Sequence, residues 1–129
     1  MRRPVVVEET GLELTSLDGF PGPFVRWMLE AMGAAGIARA AIALGDPRAR
    51  AVCLLAWTDG QSVVVGRGET AGGLTLPPRG ERGFGWDPVF VPDGESRTYG
   101  ELDDSDKDRL GHRGRAWRNL LVNLAAFGR

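Results

Sequence analysis

Ala51-Val52-Cys53-Leu54-Leu55-Ala56-Trp57, followed by Asp59-Gly60 and then by Ser62-Val63-Val64-Val65, is the stretch that decides the fold. The first run is apolar throughout, too hydrophobic for a strand with one wet face, and the second is β-branched. Two such runs flanking Asp-Gly predict a β-hairpin, because that dipeptide tolerates the positive φ of the tight turns that match strand twist. Downstream, Gly66, Gly68, Gly72 and Gly73 predict a second strand that is long but bulged.

Working outward toward the N-terminus, a short helix over about 37–44 ends at Gly45, and a longer one starts at Pro23. In the longer helix Phe24, Met28 and Met32 fall at i, i+4 and i+8, with Val25 and Leu29 beside them, and Gly33 offers the stop. Val5-Val6-Val7 predicts a strand that runs into Glu8-Glu9-Thr10-Gly11. Toward the C-terminus, Pro77-Pro78-Arg79-Gly80 is loop, and Val89-Phe90-Val91 is a short strand closed by Pro92-Asp93-Gly94. Asp103 or Asp104 caps a helical turn containing Lys107, and Trp117, Leu120, Leu121, Leu124 and Phe127 form the apolar face of a last helix. Strand, helices, hairpin, short strand and helix make an α/β fold with a mixed, twisted central sheet flanked by helices, in one domain over 1–129.

Sixteen basic against 17 acidic residues leave a net charge of -1. That balance argues against DNA or RNA as partner, since neutralising many phosphates needs a basic surplus. No apolar run approaches the roughly 20 residues that span a bilayer. Cys53, the only cysteine, lies in the apolar run, so the reading is core packing in a reducing, cytoplasmic setting without an internal disulfide.

Three clusters carry chemistry. Glu8-Glu9-Thr10-Gly11 reads either as two solvated acids at a strand end or as oxygen ligands for a hard cation such as Mg²⁺. Gly83-Phe84-Gly85-Trp86-Asp87-Pro88 reads either as an aromatic turn folded onto its own core or as a purine reader, with rings to stack and a carboxylate to accept base N–H groups. Lys107 and Gly111-His112-Arg113-Gly114 read either as a basic helix end among Asp103, Asp104, Asp106 and Asp108, or as cations for phosphate and a base carbonyl.

Together and in this order the clusters resemble a known family. The string 7–33, with Glu-Glu-Thr-Gly-Leu and Gly-Phe-Pro-Gly-Pro-Phe-Val-Arg-Trp-Met-Leu-Glu, is similar to part of the inosine triphosphate pyrophosphatase (Ham1-like) family. So are 83–94, then Thr98-Tyr99-Gly100-Glu101-Leu102, then Lys107 and His112-Arg113-Gly114, and the likeness runs from Val5 to the last helix. The resemblance implies a reduced version of that fold, a purine nucleotide as ligand, Mg²⁺ as cofactor and a homodimer. It implies attack of water on the α-phosphorus of inosine, deoxyinosine or xanthosine triphosphate, releasing the monophosphate and pyrophosphate. Glu9 falls on the family's general base and metal ligand, Glu8 on a neighbouring acid taken with it as metal ligand, and Thr10 on a hydroxyl that contacts substrate. Phe84, Gly85, Trp86 and Asp87 fall on the base pocket, Lys107 on a substrate-binding lysine, and His112 with Arg113 on the pair that reads the purine. A 6-oxo purine offers an acceptor to those donors, whereas the 6-amino group of adenine leaves a buried donor unpaired.

Two departures qualify what the resemblance implies. The family opens with a strand and an Asn-rich, lysine-bearing phosphate loop, and later adds another metal-binding glutamate; this sequence starts after both. Glu9 stands where the family has aspartate, and a carboxylate moved by about 1 Å can cost about a hundredfold in rate. A smaller change is Gly111, where the family tends to have serine. Three readings follow: a slow or reduced Mg²⁺-dependent pyrophosphatase, with a partner chain completing the site; a silent nucleotide-binding module; and an interaction subunit.

Overall fold

A computed structural model describes residues 3–128. Strand β3 (Arg48–Thr58) and β4 (Val63–Leu74) form the expected hairpin, paired in antiparallel register from Thr58–Val63 at the turn to Arg48–Gly73 at the far end. Asp59 Oδ1 closes the turn by accepting from the backbone N–H groups of Gln61 at 2.9 Å and Ser62 at 2.8 Å, while Gly60 takes a φ of 95°.

The expected bulge is absent, since the register is unbroken along the whole hairpin. The glycines answer a different demand. Gly66, Gly68 and Gly72 alternate along the face of β4 that also carries Val64 and Thr70, and helix α3 (His112–Phe127) lies on that face. A Cβ on Gly66 would come within 2.5 Å of the Ala116 carbonyl oxygen and the Leu120 nitrogen, and one on Gly68 would collide with the His112 carbonyl oxygen and the Ala116 nitrogen. Without side chains in the way, helix backbone rests on strand backbone, which brings the first turn of α3 close to the sheet.

Strand β1 (Val5–Leu14) lies on the other side of β3, antiparallel from Val5–Thr58 to Leu14–Ala49. The two-residue β2 (Pro21–Gly22) pairs only with Leu12 and Glu13, and β5 (Phe90–Pro92) pairs with β4 at Gly72–Leu74. The sheet order is β2-β1-β3-β4-β5. The α/β class stands, but all described pairings are antiparallel where sequence led us to expect a mixed sheet. The chain leaves β1 at Leu14 and enters β3 beside it, so the intervening helix α1 (Val25–Ala43) returns to the end it left, and a parallel neighbour would need a crossover to the opposite end. Gly33, at φ 71° and ψ 170°, breaks α1 into two helical stretches, the division its glycine predicted.

One core cluster gathers Ile37, Ala38 and Ala41 of α1 against Leu12 and Leu14, and continues through Trp86, Phe90 and Tyr99. A second holds Cys53, Leu55, Val64, Ala116 and Leu120, so Cys53 does pack in the core, where burial pushes its thiol up to about 11. The buried face of α3 is His112, Ala116 and Leu120; Trp117, Leu121 and Phe127, assigned to that face from sequence, are exposed. The close approach over the glycines leaves room only for the narrow i, i+4 row. On α1, likewise, Val25 is buried while Phe24 and Met32 are exposed. Among the described residues no helix is long and apolar enough to cross a membrane.

Candidate functional site

A cavity of about 540 Å³ opens between β1, the N-terminal turns of α1, the 83–88 turn, α2 (Asp104–Leu110) and the start of α3. Every site residue read from the sequence lines it except Glu9: Glu8, Thr10, Phe84, Gly85, Trp86, Asp87, Lys107, His112 and Arg113 all contribute.

Asp87 organises one wall. It is nearly buried, its Oδ2 accepts from the Phe84 backbone N–H at 3.0 Å, and the same oxygen takes Lys107 Nζ at 2.5 Å. The turn tightens this far because Gly83 and Gly85 hold φ values of 75° and 63°, and a Cβ on Gly83 would strike Asp87 Oδ2 itself. Lys107 is delivered by α2, whose first turn is capped by Asp103 through a 2.8 Å bond from the Asp106 N–H. Its ammonium also stands 5.5 Å from the centre of the Phe84 ring.

The two aromatics of the turn part company. Phe84 is 78% exposed, an open ring at the mouth, whereas Trp86 is 7% exposed and packs 5.5 Å from both the Phe90 and His112 rings. Trp86 thus folds onto the core, one of the two readings of this turn, while Phe84 is left open to the cavity. His112 is 7% exposed, with Nδ1 at 3.3 Å from the Tyr99 hydroxyl. Burial, helped by the positive charges of Lys107 and Arg113, brings its pKa down to about 4, so the ring is neutral at physiological pH.

Strand alternation separates the paired glutamates. Glu8 and Thr10 point into the cavity, while Glu9 lines a smaller hollow of about 150 Å³ on the opposite face of the sheet, with Glu13, Leu54 and Arg67. Glu8 Oε2 accepts from Arg113 Nε at 2.8 Å. Glu8 and Glu9 together as ligands of one Mg²⁺ is thus a reading the geometry overturns: adjacent strand residues face opposite ways, and Glu8 already has a cation. Among the described residues no cluster of three His, Cys, Asp or Glu side chains is placed to hold a metal. Thr10 lines both hollows. Among the described residues the outer edge of β1 beside Glu8–Thr10 has no strand partner, since β2 pairs there only with Leu12 and Glu13.

Sequence reasoning missed the α1 contribution, Val25, Arg26 and Leu29, and read Asp104 and Asp108 only as acids around the basic helix end, not as lining of the cavity. Val25 and Leu29 had shown up only as part of a helical stripe, and nothing in that spacing says that its first turns border a cavity. Tyr99 was missed as well, because its part in the site depends on a contact 13 residues along the chain.

A sequence profile of the Ham1 family matches residues 1–123. The chain belongs to the Ham1 family. It is 37% identical over 128 residues to the dITP/XTP pyrophosphatase of Hyperthermus butylicus, covering 99% of this chain and 67% of that protein. It is also 37% identical over 124 residues to the dITP/XTP pyrophosphatase of Ignicoccus hospitalis, covering 95% and 66%. A HAM1 protein from Coxiella burnetii superposes with a TM-score of 0.83 at 28% identity, over 95% of this chain and 68% of that one. The chain thus spans about two thirds of the length of these Ham1 relatives.

Proposed function

We propose that this Ham1 chain hydrolyses non-standard purine nucleoside triphosphates, ITP, dITP and XTP, to the monophosphate and pyrophosphate. Convergence carries the reading: segments as far apart as Glu8 and Arg113 supply one cavity with the open Phe84 ring, the buried Asp87 carboxylate and the cationic or donor side chains of Lys107, His112 and Arg113. A cavity of about 540 Å³ falls in the usual range for small-molecule sites. The base stacks at Phe84 and meets donors from His112 and Arg113, while Asp87 anchors Lys107 beside it.

Because Thr10 borders both hollows, the polyphosphate crosses the unpaired edge of β1 there and reaches the Glu9 side. Glu9 then acts as the base toward water, whose oxygen bonds the α-phosphorus as the bond to the bridging oxygen breaks and pyrophosphate leaves. Mg²⁺ fits this arrangement when it arrives with the triphosphate, since it is commonly held by one or two carboxylates together with substrate phosphates; Glu9 is the carboxylate that would meet it. Bound there it would neutralise charge on the phosphate oxygens. Glu8 holds Arg113 instead.

Pyrophosphate release is to be measured with ITP, dITP, XTP, GTP and ATP in Mg²⁺, beside calorimetric binding of inosine monophosphate, for the wild type and Glu9→Gln. Release from the 6-oxo substrates that Glu9→Gln abolishes while binding persists supports the enzyme. Binding without release in the wild type would mean a nucleotide-binding module, and the absence of both refutes the nucleotide reading.

A further inference from the structure

We propose that Tyr99 is a positioning residue that fixes the tautomer of His112, so that Nε2–H faces the cavity as a donor and favours a 6-oxo over a 6-amino purine. The proposal deepens the nucleotide reading and rests on it. Tyr99 is fully buried and clamped between rings, with centroids 4.8 Å from Phe90 and 6.0 Å from Trp86. Its ring lies within 8° of parallel to the His112 imidazole at 5.6 Å, and its hydroxyl reaches Nδ1 at 3.3 Å.

The direction of that bond decides what the cavity sees. A neutral imidazole has one donor nitrogen and one acceptor, and the bond made by one sets the role of the other. Burial pushes the Tyr99 phenol up to about 12, so it keeps its proton. Two acceptors lie beside it: His112 Nδ1, in bonding geometry at 3.3 Å, and the Thr70 hydroxyl, whose own hydrogen goes to the Leu110 carbonyl at 2.9 Å. The reverse arrangement, with Nδ1–H donating, leaves the buried phenol proton to the Thr70 hydroxyl, which among the described residues does not meet bonding geometry with it, and a poorly satisfied buried donor is costly. Tyr99 therefore donates, Nδ1 accepts, and the hydrogen sits on Nε2.

Where Nε2 points follows from an absence among the described residues. It makes no hydrogen bond there, yet the one fully enclosed side-chain polar atom lacking a partner is Ser16 Oγ. Nε2 is therefore not enclosed, and the open space that His112 borders is the cavity. A carbonyl at purine C6 accepts from that hydrogen. An amino group there offers another donor.

His112 is the only histidine, so ¹⁵N-histidine labelling gives a single ring to read by NMR. The wild type is expected to show a protonated Nε2 and an acceptor Nδ1 at neutral pH, a result that needs no variant to fold. Tyr99→Phe, which keeps the packed ring, is expected to lose the fixed tautomer and to lower the preference for inosine over adenosine monophosphate by about tenfold. A protonated Nδ1 in the wild type, or a tautomer and preference unchanged in Tyr99→Phe, overturns the assignment while inosine monophosphate still binds. If Nε2 is protonated and neither monophosphate binds, the nucleotide reading is the part that fails, and the selectivity role falls with it.

Discussion

Replacing Gly68 by alanine asks whether backbone contact between β4 and α3 holds this fold together. The added methyl would collide with the His112 carbonyl oxygen and the Ala116 nitrogen and come 2.9 Å from the Arg115 carbonyl carbon. All three are backbone atoms of one helix, so no flexible side chain can give way. Overpacking costs typically about 1–3 kcal/mol, and a rigid obstacle puts Gly68→Ala near the top, about 3 kcal/mol. For a chain of this size each kcal/mol moves the midpoint by roughly 3–5 °C, so Tm should fall by roughly 10–15 °C. Gly73→Ala is the matched control: its methyl meets nothing nearer than the Pro47 carbonyl oxygen at 3.8 Å, and φ there is not positive. It should be neutral or gain up to about 1 kcal/mol, because alanine has fewer unfolded conformations to lose. Thermal unfolding followed by circular dichroism reads both. The reasoning is refuted if Gly68→Ala melts with the wild type, or if the two variants come out in the opposite order.

Further expectations concern the site. His112, facing Lys107, Arg113 and Tyr99, has a folded pKa of about 4 against an ordinary value near 6.5, so between these values the unfolded chain binds a proton that the folded one refuses. Stability should therefore fall by about 3 kcal/mol as pH drops from about 6.5 to about 4, with no contribution above that window, and His112→Gln should remove that part of the slope in urea titrations. Asp87→Asn strips the carboxylate from Lys107 and should cost about 2–3 kcal/mol, at the low end for a broken buried pair because Lys107 still reaches water. An unshifted urea midpoint for Asp87→Asn would contradict that account.

How far sequence carried the reading differs from element to element. The hairpin, the Gly33 break and the Asp103 cap were legible because each follows from local backbone preference. The role of Gly66 and Gly68 was not, since a glycine that admits a bulge and one that admits a helix look alike until the helix is seen against the strand. The cavity's membership was legible as a set of motifs, yet the opposite facing of Glu8 and Glu9 followed only once β1 proved to continue through them to Leu14. Tyr99 was legible only as a member of the 98–102 motif, and its stack on His112 depends on the tertiary fold.

Arg113 is already occupied. On the nucleotide reading proposed above, its 2.8 Å bond from Nε to Glu8 Oε2 means that an arriving base shares the guanidinium with a resident carboxylate. Affinity at this position is then the difference between two partnerships, and a base with a poor acceptor leaves the arginine where it was. Discrimination of this kind lies in the exchange of partners, and a stronger grip on every purine would erase it.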